Sequence, residues 1–230
     1  HPNRDNQPVE GCENVYRKAP VGSARKWGFL QPCMDNFMVR RVDSSHTTGW
    51  LNLDAWSEMY VGAHWLVTEE LPEQHYQAQP RHGPLAQMVV IGSHHLIEII
   101  FFHSVKAVLS QSPGRFPGIE NKYDGAYFGT AFKRWPEILV GSPIDTDTPA
   151  LRSAKALAKR RNATIHKESA LAIPSMARSA LYSAAHASRE IAVHLLGIDG
   201  FKYEEVLGKY PPPEAEWFFE TRLVDAAPNT

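Results

Sequence analysis

The chain has 230 residues, of which 43% are hydrophobic and 21% are charged, and its formal net charge is −1 at pH 7. This composition is typical of one medium globular domain with short additions, and it excludes a disordered chain or a uniformly basic surface. Cys12 and Cys33 lack the spacing of a thiolate zinc site and do not suffice for a disulfide scaffold, so we expect a reducing, cytoplasmic location.

The two ends of the chain lack a clear helical period. Residues 1–48 are polar and are interrupted by Pro and Gly, which predicts an N-terminal arm or a small β element. Within this arm, residues 27–30 and 37–42 are candidates for short strands. Residues 201–230 form a C-terminal tail with a Pro-rich and an aromatic segment, and we expect it to pack on the rest of the protein or on a partner.

Apolar residues recur with a helical period from Leu51 onward, which predicts a mainly α fold. We assign residues 49–200 to an up-and-down bundle of four to five helices. The first helix is predicted over 51–71, because Pro72 follows. Its aromatic residues at helical spacing are assigned to the core: Trp56, Tyr60 and Trp65.

The second predicted helix, residues 85–110, is apolar on nearly every side, which indicates a central and buried position. Its ionisable side chains disfavour a membrane span, so we expect no membrane partner. They are His94, His95, Glu98, His103 and Lys106.

Three further helices are marked by their ends. A short aromatic helix is predicted over 125–135 and is expected to stop at Pro136. The next helix opens at Asp147-Thr148-Pro149, where Asp or Thr caps it and Pro occupies the first turn. The last runs from Pro174 to Gly197, a residue type that commonly follows a helix end.

The sharpest chemical signal is Arg161-Asn162-Ala-Thr-Ile-His166, near the end of the fourth predicted helix. An apolar stripe that steps by three and four residues leads to Arg161 and predicts that this residue faces inward. A guanidinium stays charged at any working pH, so an inward position requires an anion. Asn162 and His166 are four residues apart and therefore share a helix face. The stripe consists of Leu151, Ala154, Ala158 and Ile165.

These three residue types suit cleavage of an RNA phosphodiester. His166 can accept the proton of a ribose 2′-hydroxyl or donate one to the leaving 5′-oxygen. Arg161 can neutralise charge in the transition state, and Asn162 can orient the phosphate. The nucleophile belongs to the substrate, so neither a metal nor a cofactor is required. The competing interpretation is that Arg161 extends to the surface while the other two residues cap the helix end.

The motif resembles the ribonuclease-type members of the HEPN superfamily (higher eukaryotes and prokaryotes nucleotide-binding domains). These carry Arg, roughly four to six residues and then His, usually with Asn, Asp or His directly after the Arg. The resemblance covers roughly residues 50–200 and includes the long helix before the motif and the loop and long helix after it. It implies a helical bundle that forms a homodimer, RNA as substrate, cyclic phosphate ends, and a role as a toxin or phage-defence effector, with a cognate antitoxin or regulatory protein as a further partner.

Two observations limit the resemblance. The loose spacing recurs at Arg41…His46, in the arm, and at Arg189…His194, in the middle of a helix, but neither Arg is followed by Asn. Members that are paired with nucleotidyltransferases carry Tyr two residues after the His, where this chain has Glu168. This departure argues against that particular pairing.

Several neighbouring residues are assigned supporting roles. Glu98 is predicted to pair with Arg161, either to orient it or as a structural ion pair. A basic rim for RNA is predicted from the cations around the motif, with a solvated helix face as the alternative. The cations are Lys155, Lys159, Arg160 and Lys167.

Two other functions stay open. One is a catalytically inactive HEPN-like module that binds nucleic acid or a protein partner. The other is a metal-dependent bundle enzyme, which the scattered histidines suggest. The usual Glu-x-x-His order of such bundles is reversed here, as His95-x-x-Glu98, so we predict no metal site.

Overall fold

The computed structural model describes the backbone of residues 38–44, 47–73, 77–166 and 172–220. Side chains are described for residues 54–73, 77–163 and 172–220. The chain divides into two units, residues 1–31 and residues 32–230, and every described residue belongs to the second. The candidate strand at 27–30 lies outside the described residues.

A β-hairpin precedes the helices. Strand β1 (Met38–Ser44) pairs antiparallel with β2 (Thr47–Leu53), and Met38 lies opposite Leu53. Most of the strand predicted at 37–42 is thereby confirmed. The prediction that a helix begins at Leu51 is wrong, because β2 continues through Leu53. The helix starts only after Asp54, whose Oδ1 accepts a hydrogen bond from the Ser57 N–H at 2.9 Å and so caps it.

The five predicted helices follow in order, and within the described residues two further short helices lie outside the predicted ones. Their bounds are α1 (Ala55–Trp65) with a π-helical turn (Leu66–Glu70), α2 (His82–Gln111), α3 (Pro117–Glu120), α4 (Phe128–Val140), α5 (Pro149–His166), α6 (Pro174–Leu196) and α7 (Glu204–Lys209), and a 3-10 turn covers Phe218–Glu220. The predicted mainly α bundle is confirmed.

Helices α2 and α6 form the centre of this bundle and share its most extensive interface. The buried face of α6 is lined by small residues, which allow the two helices to pack closely. By length and composition α2 is apolar enough to cross a membrane, and half of its most apolar stretch is buried against the other helices. The small buried residues of α6 are Ala177, Ser179, Ala180, Ser183, Ala184, Ala185, Ala187, Ser188 and Ala192.

Helix α4 does not stop at Pro136 as predicted. It continues to Val140 and ends where Gly141 adopts a left-handed conformation (φ +83°). Pro136 lacks an N–H and cannot donate to the preceding turn. The helix persists because Trp135 and Leu139, on either side of the proline, are both buried in the core.

The C-terminal segment returns to the bundle, as predicted for the tail. Gly200 makes the turn after α6, where a Cβ would lie 2.4 Å from the Leu196 Cβ. The Tyr60 hydroxyl then donates a hydrogen bond to the Tyr210 carbonyl at 2.8 Å. Further on, the Phe218 N–H donates to the Ser183 Oγ at 2.9 Å, and Phe218 is buried.

One arginine joins the start of α6 to the end of the first helix. The Arg178 guanidinium donates to the Val67, Leu71 and Pro72 carbonyls at 3.2, 2.9 and 2.9 Å. These carbonyls follow a helix end, where backbone acceptors lack intrahelical donors. A forked cation satisfies three of them at once, and it adds charge-assisted bonds to the packing of α6.

Candidate functional site

The buried cation of α5 is Arg160, not Arg161. Arg160 is only 8% exposed, whereas Arg161 is half-buried. The predicted inward position of Arg161 is therefore wrong by one residue. The buried face passes through Leu157 rather than Ala158, and the next position on it is 160. The residues of α5 on this face are Ala150, Leu151, Ser153, Ala154, Leu157 and Arg160.

Arg161 and Asn162 are joined to each other at the half-exposed edge of α5. The Arg161 Nη1 donates a hydrogen bond to the Asn162 Oδ1 at 3.0 Å, and Asn162 is exposed. The backbone of His166 completes the last turn of α5, one turn beyond Asn162. The side chain of His166 lies outside the described residues.

Helix α2 presents an acidic group to this edge. The Glu98 carboxylate accepts a hydrogen bond from the His95 Nδ1 at 3.1 Å and lies 3.7 Å from the His94 Nδ1. Burial alone would raise the pKa of Glu98, but the hydrogen bond from His95 and the charges of both histidines and of Arg161 hold this pKa below its usual value. The predicted link between Glu98 and Arg161 is thus electrostatic. The direct contacts on the carboxylate come from α2 itself.

His94 is the buried member of this group. It is 4% exposed, its ring packs edge-on against Phe128 at 5.6 Å between centroids, and neither ring nitrogen makes a hydrogen bond within the described part of the chain. Burial lowers the pKa of His94, and the charges of Arg161 and His95 lower it further, while Glu98 opposes them. The imidazole is therefore held neutral near pH 7.

This burial predicts that acid destabilises the fold. In the unfolded chain His94 is protonated near pH 6.5, whereas in the folded chain it is protonated only at a lower pH. The stability that depends on a neutral His94 is thus fully present above about pH 6.5 and is lost as the pH falls toward the folded pKa. For one group, the free energy of unfolding falls by at most about 1.4 kcal/mol per pH unit. We expect urea unfolding at about pH 7 and about pH 5.5 to show this loss, and His94→Gln to reduce it.

His103 and His186 contribute to the same loss, because burial lowers their pKa values as well. The matched control is His194→Gln, which removes a histidine from the end of α6, outside this cluster. Equal pH dependence in wild type and His94→Gln would contradict the assignment.

The predicted basic rim is only partly on the surface. Lys155 and Lys159 are exposed, and the Lys155 Nζ donates to the Thr146 Oγ1 at 2.6 Å, toward the start of α5. Arg160 is buried, so its assignment to the rim is wrong. Lys167 lies outside the described residues. Of the described cations assigned to the rim, Lys159 is therefore the exposed one that lies near Arg161.

The histidines do not converge on a metal site in the part of the chain that is described. Within it, no three His, Cys, Asp or Glu side chains are grouped as metal ligands would be. His95 and Glu98 bind each other, and His194 contacts the Ser142 carbonyl at 3.0 Å. The pairing of Glu98 with both histidines was detectable in the sequence, because residues three and four apart meet on one helix face.

No family model, curated protein or solved structure is significantly similar to this chain. The resemblance to the HEPN superfamily therefore rests on the Arg161 motif and its helical context.

Proposed function

We propose that the protein is a metal-independent endoribonuclease whose site is formed by Arg161, Asn162 and His166. The observation that carries the proposal is the position of Arg161: half-buried near the end of α5, and close enough to the Glu98–His94 pair of the central helix to shift the pKa values of both. A guanidinium held in this way can receive a phosphate without a large desolvation cost.

The contact between Arg161 and Asn162 supports the same role. A guanidinium has five N–H donors, and the hydrogen bond to Asn162 engages one of them. Within the described part of the chain, the Glu98 carboxylate is hydrogen-bonded to His95 and not to the Arg161 guanidinium. The remaining donors suit two oxygens of one phosphate, which is the bidentate geometry that arginine favours.

The proposed reaction is an in-line attack by the ribose 2′-hydroxyl on the adjacent phosphorus. The 2′-proton is removed as the P–O bond forms, the 5′-oxygen leaves with a proton, and a 2′,3′-cyclic phosphate results. His166 is assigned the proton transfers, and Arg161 the stabilisation of the charged transition state. Asn162 positions the phosphate. A homodimer, and a role as a toxin or defence effector in the cytoplasm, belong to the same proposal.

The test is cleavage of labelled single-stranded RNA by the purified full chain in excess chelator. We expect cleavage to persist and the products to carry 2′,3′-cyclic phosphate ends, because no metal takes part. Arg161→Ala, purified in parallel, is the control for contaminating nucleases. Loss of activity in chelator, or hydrolysis to 3′-hydroxyl ends, would refute the mechanism. A wild type that binds RNA without cutting it would favour the non-catalytic binding module instead.

A further inference from the structure

A groove of about 840 Å³ lies between the α3 loop and helix α4. Three cations line it, namely Arg115, Lys122 and Arg134. The described lining of the groove includes no carboxylate. The carboxylates of the same loop are placed elsewhere. Glu120 and Asp124 line a separate cavity, and the Glu120 Oε1 accepts a hydrogen bond from the Gly114 N–H at 2.9 Å. The groove is thus a locally positive surface on a chain that is close to neutral.

Aromatic rings alternate with these cations. Tyr127 is 70% exposed at the start of α4, although large apolar rings are usually covered. Its ring lies against the first turn, where a Cβ on Gly129 would be 3.1 Å from the Tyr127 Cε1. Phe116 also lines the groove, with the Arg115 guanidinium 5.2 Å above its ring. Tyr127 therefore presents a ring face that is open to a stacking partner.

The start of α4, beside the groove, packs on the central helix α2. Phe128 follows Tyr127 in the chain, and its ring packs against His94, the buried neighbour of Glu98. The charge of Arg161 acts on the same His94. The first turn of α4 thus packs directly on the helix that carries the Glu98 cluster.

We propose that this groove binds single-stranded RNA, the substrate of the proposed ribonuclease. Tyr127 stacks on a base, and Arg115, Lys122 and Arg134 pair with backbone phosphates. Interleaved cations and exposed aromatic rings are what sequence-tolerant binding of single strands requires. An acidic protein would satisfy the cations but would leave the tyrosine face without a partner. This inference deepens the proposed function and rests on it for the identity of the strand.

The test measures binding apart from cleavage. All proteins carry Arg161→Ala, and fluorescence anisotropy follows a labelled RNA of about 12 unstructured nucleotides, within the range that such grooves bind. Adding Tyr127→Ala is expected to weaken binding about tenfold, whereas Tyr127→Phe, which keeps the ring, retains it. Adding Arg134→Ala is expected to reduce the slope of log K against log salt by about 0.7, the value for one phosphate contact with a single strand.

Lys133→Ala is the matched control, because Lys133 is an exposed cation next to Arg134 that does not line the groove. It should bind RNA as the Arg161→Ala parent does. The inference is overturned if Tyr127→Ala and Arg134→Ala bind like the parent, if Lys133→Ala weakens binding as much as they do, or if poly-glutamate competes as well as RNA.

The two proposals can fail separately. If the wild-type chain binds RNA in a way that depends on Tyr127 but never cuts it, the groove proposal stands and the ribonuclease proposal is refuted. If the chain cuts RNA but its RNA binding does not depend on Tyr127 or Arg134, the ribonuclease proposal stands and the groove proposal is refuted.

Discussion

Replacing Arg161 or His166 by Ala is expected to lower the rate of RNA cleavage by at least about 100-fold while the helical fold is kept. Arg161 is half-buried at the edge of α5 rather than in the core, so we expect its loss to remove charge stabilisation rather than core packing. Arg161→Lys keeps the charge but loses the fork, and we expect it to recover only part of the rate. The measurement is single-turnover cleavage, with circular dichroism to confirm folding.

The chain supplies a matched control for this prediction. Arg189 and His194 repeat the Arg-x4-His spacing on α6, but each has a structural partner. Arg189 pairs with Glu204 at 2.7 Å on the surface, and His194 contacts the Ser142 carbonyl. Arg189→Ala and His194→Ala should cut RNA at the wild-type rate. An active His166→Ala protein, or equal losses in the control variants, would remove the assignment.

Trp56→Ala is expected to lower the free energy of unfolding by about 3–5 kcal/mol. The Trp56 ring is fully buried, stacks on Tyr203 at 4.3 Å and on Tyr60 at 5.0 Å, and meets the edge of Phe201 at 5.7 Å. Its Nε1 donates to the Ser188 Oγ at 3.4 Å. Truncation therefore leaves a cavity, and it detaches the C-terminal segment from α1.

Urea unfolding measures this loss, and Trp65→Ala is the control on the same helix. Trp65 was predicted to lie in the core with Trp56 and Tyr60, but it is 52% exposed. Its truncation should change the unfolding free energy by less than about 0.5 kcal/mol, as exposed substitutions usually do. Comparable losses in the two variants would contradict the assignment of Trp56 to the core.

The start of α5 and both ends of α6 were predictable from the sequence, because they depend on local chemistry. Thr148 caps α5 by accepting a hydrogen bond from the Leu151 N–H at 3.3 Å, and Pro149 follows it as the first helical residue. Pro174 begins α6, and Gly197, with φ +90°, follows its end. Each of these positions is decided by one or two residues. The start of α1 was not, since residues 51–53 suit a strand or a helix until their pairing partner is known.

The orientation of α5 was not predictable from its apolar pattern. Ala154 and Ala158 are small enough for either a buried or an exposed face, so the stripe could be continued in two ways. The buried Leu157 selects the one that leads to Arg160. Adjacent positions on a helix are rotated by about 100° from each other. This rotation places Arg160 in the core and Arg161 at the half-exposed edge of the helix.

The three hydrogen bonds of Arg178 link the local unfolding of two distant segments. They join the π-helical turn and the residues after it to the second turn of α6, across more than a hundred residues of chain. Regions that share such bonds form one cooperative unit, so local unfolding of either segment releases the other. Unfolding at the start of α6 is thereby coupled to the far end of the first helix.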